Sequence, residues 1–209
     1  MSIVKNILNI KKKIKDTQLI VVTKKQSLDD IKKAYSSGER NFGENRVNEL
    51  IVKKALLPNN IKWHMIGHLQ TNKVRSIASF IHLIHSVDRL KLLNEINKYG
   101  KLENRIINCL IQVKVAEENK KHGFSKKESI DLLKSNYKEK YPYVNIQGIM
   151  GMATFTSNTN VIESEFKRLK KIYDNVKHIK ILSMGMSNDY QIACEVGSNM
   201  IRIGSAIFK

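Results

Sequence analysis

The 209-residue chain repeats one pattern eight times: a short β-rich apolar run, then a stretch with helical spacing. The runs fall at residues 19–23, 40–42, 62–66, 82–85, 105–113, 146–150, 181–183 and 200–203. The segments between them read as helices at 44–56, 71–79, 125–137, 161–176 and 188–196, with Ser27 and Asp88 as caps of two more. Strands separated by helices pair in parallel, because each crossover returns the chain to the same end of the sheet. Eight such units predict a (β/α)8 TIM barrel of the α/β class. An extra N-terminal helix precedes it, with Ile3, Ile7, Ile10 and Ile14 on one face. An open doubly wound sheet is the alternative, but no G-x-G-x-x-G follows the first run and no G-x-x-x-x-G-K-[ST] occurs. Two prolines and no Ser/Gly-rich stretch leave no linker, so residues 1–209 are expected to form one domain.

Charge narrows the partners less than it first suggests. Lys and Arg number 37 against 19 Asp and Glu, a formal net charge of +18. Such an excess attracts polyanions, so a basic nucleic-acid-binding protein is one reading. The excess is nearly all Lys, scattered over helical segments and accompanied by many Ile and Asn, which favours compositional drift. Cys109 and Cys194 form no C-x-x-C pair, which fits a reducing compartment. Residues 1–15 lack the apolar core of a signal peptide, and no run approaches the ~18 apolar residues of a membrane span. A cytoplasmic, membrane-free protein is expected.

Barrel enzymes and binding proteins carry their chemistry at the C-terminal ends of the strands. Lys24 and Lys25 stand there after the first run. A lysine at a barrel mouth is either a solvated surface cation or a Schiff-base amine, and the second role requires a lowered pKa. Strand alternation turns only one of the two inward, and the sequence does not say which. Gly185–Ser187 and Gly204–Ser205 place glycines and hydroxyls after the seventh and eighth runs, where barrels often bind phosphate. Arg202 lies inside an apolar run and needs a partner, either a carboxylate or the ring nitrogen of a cofactor. The six histidines suggest no metal: His64 and His68 share no helical face, and His82 and His85 sit on opposite sides of a strand. Met150, Met152, Met184 and Met186 read as flexible apolar packing at the mouth.

Six segments spread through the chain resemble one family in order: V-V-T-K at 21–24, F-G-E-N at 42–45, W-H-M-I-G-H-L-Q-T-N-K at 63–73, H-S-V-D at 85–88, S-M-G-M-S-N-D at 183–189 and R-I-G-S-A-I-F at 202–208. They are similar to the YggS/PROSC family of pyridoxal phosphate (PLP) homeostasis proteins. The resemblance implies a fold like the N-terminal barrel of alanine racemase, with PLP as cofactor and Lys24 as its Schiff-base lysine. It also implies phosphate binding by Met186, Ser187, Gly204 and Ser205, Arg202 near the pyridine nitrogen, and Asn45 in the pocket. Arg46 stands where the family commonly has Tyr, and Lys25-Gln26 departs from the usual continuation.

The expected function is to buffer and deliver PLP and so maintain vitamin B6 balance, without catalysis of its own. Its partners would be PLP-dependent apoenzymes acting as acceptors, and the protein itself a monomer. A racemase needs an acid/base group on each face of the cofactor and, in related barrels, a second β-rich domain for which this sequence has no room. A small PLP-dependent amino-acid racemase is therefore the alternative.

Overall fold

A computed structural model describes residues 2–116 and 122–209. Eight parallel strands close into a barrel in sequence order, each paired with its neighbours. They are β1 Gln18–Val22, β2 Asn41–Glu44, β3 Lys62–Met65, β4 Leu83–Val87, β5 Ile107–Gln112, β6 Val144–Met150, β7 Ile181–Ser183 and β8 Met200–Ile203. Closure runs through β1 and β8, with Gln18 opposite Met200 and Ile20 opposite Arg202.

The two-residue period of a strand divides the core in two. Leu19 and Val21 face outward into the shell packed beneath the helices. Ile20 faces inward and meets Leu83, Leu110, Met150 and Met200 inside the barrel. That inner cluster is small because His64, His85, Ser183 and Arg202 are also buried there. Each of the eight strands is short, seven residues at most, so a chain of this length suffices.

The helical layer is α1 Ile3–Ile14, α2 Leu28–Ser36, α3 Val47–Leu56, α4 Leu90–Leu102, α5 Lys126–Lys134, α6 Tyr137–Lys140, α7 Thr159–Asp174, α8 Tyr190–Val196 and α9 Ser205–Phe208. α1 is the expected extra helix: Ile7, Ile10 and Ile14 are buried and its other face is largely Lys. Asn6 donates from Nδ2 to the Ile207 carbonyl at 2.9 Å, tying α1 to the last helix. Ser27 caps α2 as expected, its Oγ accepting from the Asp30 amide at 3.1 Å.

Four elements differ from the sequence reading. Asp88 caps nothing; α4 begins after Arg89, and the Asp88 carboxylate bonds side chains instead. Glu44 ends β2 rather than opening a helix. Residues 71–76 form only a 3-10 turn. The helix expected over 125–137 stops at Lys134, and a separate short turn of helix begins at Tyr137. No helix among the described residues is long and apolar enough to cross a membrane.

Candidate functional site at the barrel mouth

The inward parity of β1 runs Ile20, Val22, Lys24, so alternation carries Lys24 to the cavity and leaves Lys25 outside. Lys25 adopts φ +61° and turns the chain away. A buried cluster anchors this turn. Lys53 Nζ reaches Glu44 Oε1 at 2.6 Å and the Thr23 carbonyl at 2.8 Å. The Thr23 hydroxyl donates to the same Glu44 oxygen at 2.6 Å. Burial pushes the Glu44 carboxyl up, while the Lys53 ammonium and Thr23 hydroxyl draw it back. The backbone beneath Lys24 is thereby fixed. Lys24 Nζ itself has no hydrogen bond or ion pair with another described residue.

A cavity of about 660 Å³ opens at this end of the barrel. All seven residues singled out in the sequence line it: Lys24, Asn45, Met186, Ser187, Arg202, Gly204 and Ser205. Asn45 Oδ1 is buried without a hydrogen-bond partner among the described residues. Ser187 Oγ accepts from two backbone amides, Gly204 N at 3.4 Å and Ala206 N at 3.3 Å. Amides converging on one oxygen make a cradle for an anion. Gly204 is needed there, because a Cβ would come within 3.0 Å of the Val22 carbonyl oxygen. Gly185 has φ +99°, and a Cβ on it would lie 2.6 Å from Ala193.

Arg202 is 4 % exposed and, among the described residues, bonded only to neutral acceptors, Ser183 Oγ at 2.6 Å and the Gly151 carbonyl at 3.2 Å. Burial lowers its pKa to about 10, with the Asp189 carboxylate opposing the shift. The guanidinium therefore remains charged at neutral pH. Asp189 accepts from the Met186 amide at 2.5 Å, which shapes the turn after β7.

The family model described as "Alanine racemase, N-terminal domain" matches residues 1–209. The "Pyridoxal phosphate homeostasis protein" of Helicobacter pylori is 36% identical over 194 residues, covering 92% of this chain and 87% of that protein. The protein of the same name from Haemophilus influenzae is 32% identical over 200 residues, covering 91% and 84%. The chain belongs to the pyridoxal phosphate homeostasis protein family. PipY of Synechococcus elongatus PCC7942, solved with PLP bound, superposes with a TM-score of 0.90 at 28% identity, covering all of both chains. The alanine racemase of Bartonella henselae shares the fold, with a TM-score of 0.77 at 18% identity over 99% of this chain and 58% of that one.

This member of the homeostasis family also places residues at the mouth that sequence reasoning missed. His68 Nδ1 pairs with Asp88 Oδ2 at 3.0 Å, and His122 Nδ1 lies 3.7 Å from the same oxygen. Both rings line the cavity, as do Gln112, Thr154 and the 86 % exposed Phe155. The three donor atoms of His68, Asp88 and His122 lie within 4.8 Å of one another. The two rings, however, stack at 4.3 Å between centroids, and Arg89 holds the other Asp88 oxygen. Two of the quoted segments marked this wall, W-H-M-I-G-H-L-Q-T-N-K at 63–73 with His68 and H-S-V-D at 85–88 with Asp88.

Proposed function

We propose that the chain binds PLP in the barrel mouth, holds it on Lys24, and releases it to PLP-dependent apoenzymes, so buffering vitamin B6. The observation that carries this reading is the convergence of Lys24, Asn45, Met186, Ser187, Arg202, Gly204 and Ser205 on one cavity. The family relationship supports it independently.

The residues fit the cofactor. PLP supplies an aldehyde that condenses with a primary amine, together with a phosphate and a pyridine nitrogen. Lys24 offers an amine unencumbered by an ion pair among the described residues. The Gly204 and Ala206 amides and the Ser187 hydroxyl form the anion cradle, with Ser205 beside it. Asn45 Oδ1 is a buried acceptor awaiting a donor. Met186 and Val22 give apolar walls. Arg202 brings a fixed positive charge, which opposes protonation of a nearby ring nitrogen. An unprotonated ring withdraws electrons weakly, so the site suits holding the cofactor better than using it. Delivery to cytoplasmic apoenzymes would put the protein in the same compartment as these acceptors.

The test is an absorption spectrum of protein reconstituted with PLP, before and after borohydride. We expect a visible band that borohydride bleaches, a reduced adduct mapped to Lys24 by mass spectrometry, and complete loss of both in Lys24→Ala. A wild-type protein that stays colourless with excess PLP refutes the proposal.

One observation favours the racemase reading: the His68–Asp88 pair on the cavity wall is an acid/base group in addition to Lys24. That reading requires turnover of an amino acid at about 1 s⁻¹ or faster, abolished by His68→Gln. The carrier reading expects no such turnover.

A further inference from the structure

A line of polar side chains, buried except at its half-buried far end, crosses the barrel interior beneath the cavity. It starts at Arg202 on β8, passes Ser183 on β7, His85 on β4 and His64 on β3, and ends at Asn41, the first residue of β2. The contacts are Arg202 Nη1 to Ser183 Oγ, 2.6 Å; Ser183 Oγ to His85 Nδ1, 3.4 Å; His85 Nε2 to His64 Nδ1, 3.0 Å; and His64 Nε2 to Asn41 Oδ1, 3.2 Å. His64, His85 and Ser183 have no solvent exposure.

The chemistry of the ends fixes every proton between them. A guanidinium only donates, so Ser183 Oγ accepts from Arg202. The Ser183 hydroxyl proton then goes to His85 Nδ1, its other partner here. His85 must carry its proton on Nε2 and donate it to His64 Nδ1. His64 in turn carries its proton on Nε2 and donates it to Asn41 Oδ1. Both rings are neutral in this scheme, for a protonated imidazole has no acceptor and would set two donors against each other. Burial, the first cause, holds both rings well below the ordinary histidine range, and the Arg202 charge adds to the effect at His85. Among the described residues, the charged and titratable groups around the line are Arg202 and Asp189 at the mouth and His82, Lys62 and Arg105 at the opposite end.

We propose that Ser183, His85 and His64 are positioning residues that act through Arg202: a one-directional hydrogen-bond relay that fixes the guanidinium at the cavity floor. The relay sets the orientation of the buried guanidinium that would face a cofactor ring, and occupancy of the cavity is felt along it. Its link to PLP rests on the binding function proposed above; the proton arrangement does not.

Nitrogen-15 imidazole spectra of the ligand-free protein test the arrangement first. The expected result is the Nε2–H tautomer at both His64 and His85, neutral at pH 6. An Nδ1–H tautomer at either ring, or a protonated ring at pH 6, overturns the relay whether or not PLP binds. The second arm uses PLP titrations of Ser183→Ala and Ser183→Thr. Loss of one hydrogen bond to a charged group should weaken PLP binding about tenfold in Ser183→Ala. The visible band should shift, and PLP loading should no longer move the His85 resonance. Ser183→Thr, which keeps the hydroxyl, should restore all three. A folded Ser183→Ala with wild-type affinity, band and His85 response overturns the positioning role. Failure of wild-type protein to bind PLP would instead count against the binding function, and the tautomers would still decide the relay.

Discussion

Two buried cations flank the end of β1, and they are held in opposite ways. Outside the barrel, Lys53 is met by the Glu44 carboxylate, and the pair is electrically closed. Inside, Arg202 is met by a hydroxyl and a carbonyl, and its charge is left unspent. A buried charge without a counter-charge costs free energy unless its hydrogen bonds are well made. The outer pair is therefore a structural fastener for the turn that carries Lys24. The inner cation keeps a positive field for whatever enters the cavity. Similar burial, 7 % exposure for Lys53 and 4 % for Arg202, thus serves two purposes.

The largest test of this contrast is Lys53→Met. It strands the Glu44 carboxylate and should cost about 3–5 kcal/mol in urea unfolding. Next comes acid. His64 and His85 have folded pKa values depressed below the unfolded value of 6.5, so the unfolded chain binds more protons as pH falls. Their contribution is fully present above pH 6.5 and is lost as pH drops below it. Each should lower the unfolding free energy between pH 7.5 and 5.5, by on the order of 1 kcal/mol. Unfolding free energy that stays level over that range would mean the interior rings are not neutral. The smallest effect belongs to Arg202→Met, which leaves no bonded carboxylate behind and should cost about 1–2 kcal/mol. If it costs as much as Lys53→Met, the Asp189 charge is a true partner and the contrast fails.

The sequence made the barrel legible because its strands are short runs rich in apolar residues and its helices are apolar on one face. The seventh and eighth runs, at 181–183 and 200–203, coincide with β7 and β8. Glu44 was misread because a charge buried in a strand makes sense only beside Lys53, nine residues on and brought back by a helix. Asp88 was misread for the same reason; its partner His68 lies twenty residues away on the next wall. The residues alone left Lys24 and Lys25 open; the family resemblance named Lys24, and the inward parity of Ile20 turns Lys24 toward the cavity. His64 and His85 looked unremarkable one at a time. Their contact depends on the β3–β4 register, which sets His64 against Leu83, and a sequence does not display register.

The polar thread through the barrel has one more consequence. Every donor in it points the same way, from the mouth toward Asn41, so the group dipoles add along the axis. Their negative end lies under the guanidinium, much as the carbonyl end of a helix lies under a terminal lysine or arginine. The barrel thus compensates a cation with an oriented field instead of an anion. Arg202 is stabilised and still formally positive toward the cavity, a state that a carboxylate in the same place would have cancelled.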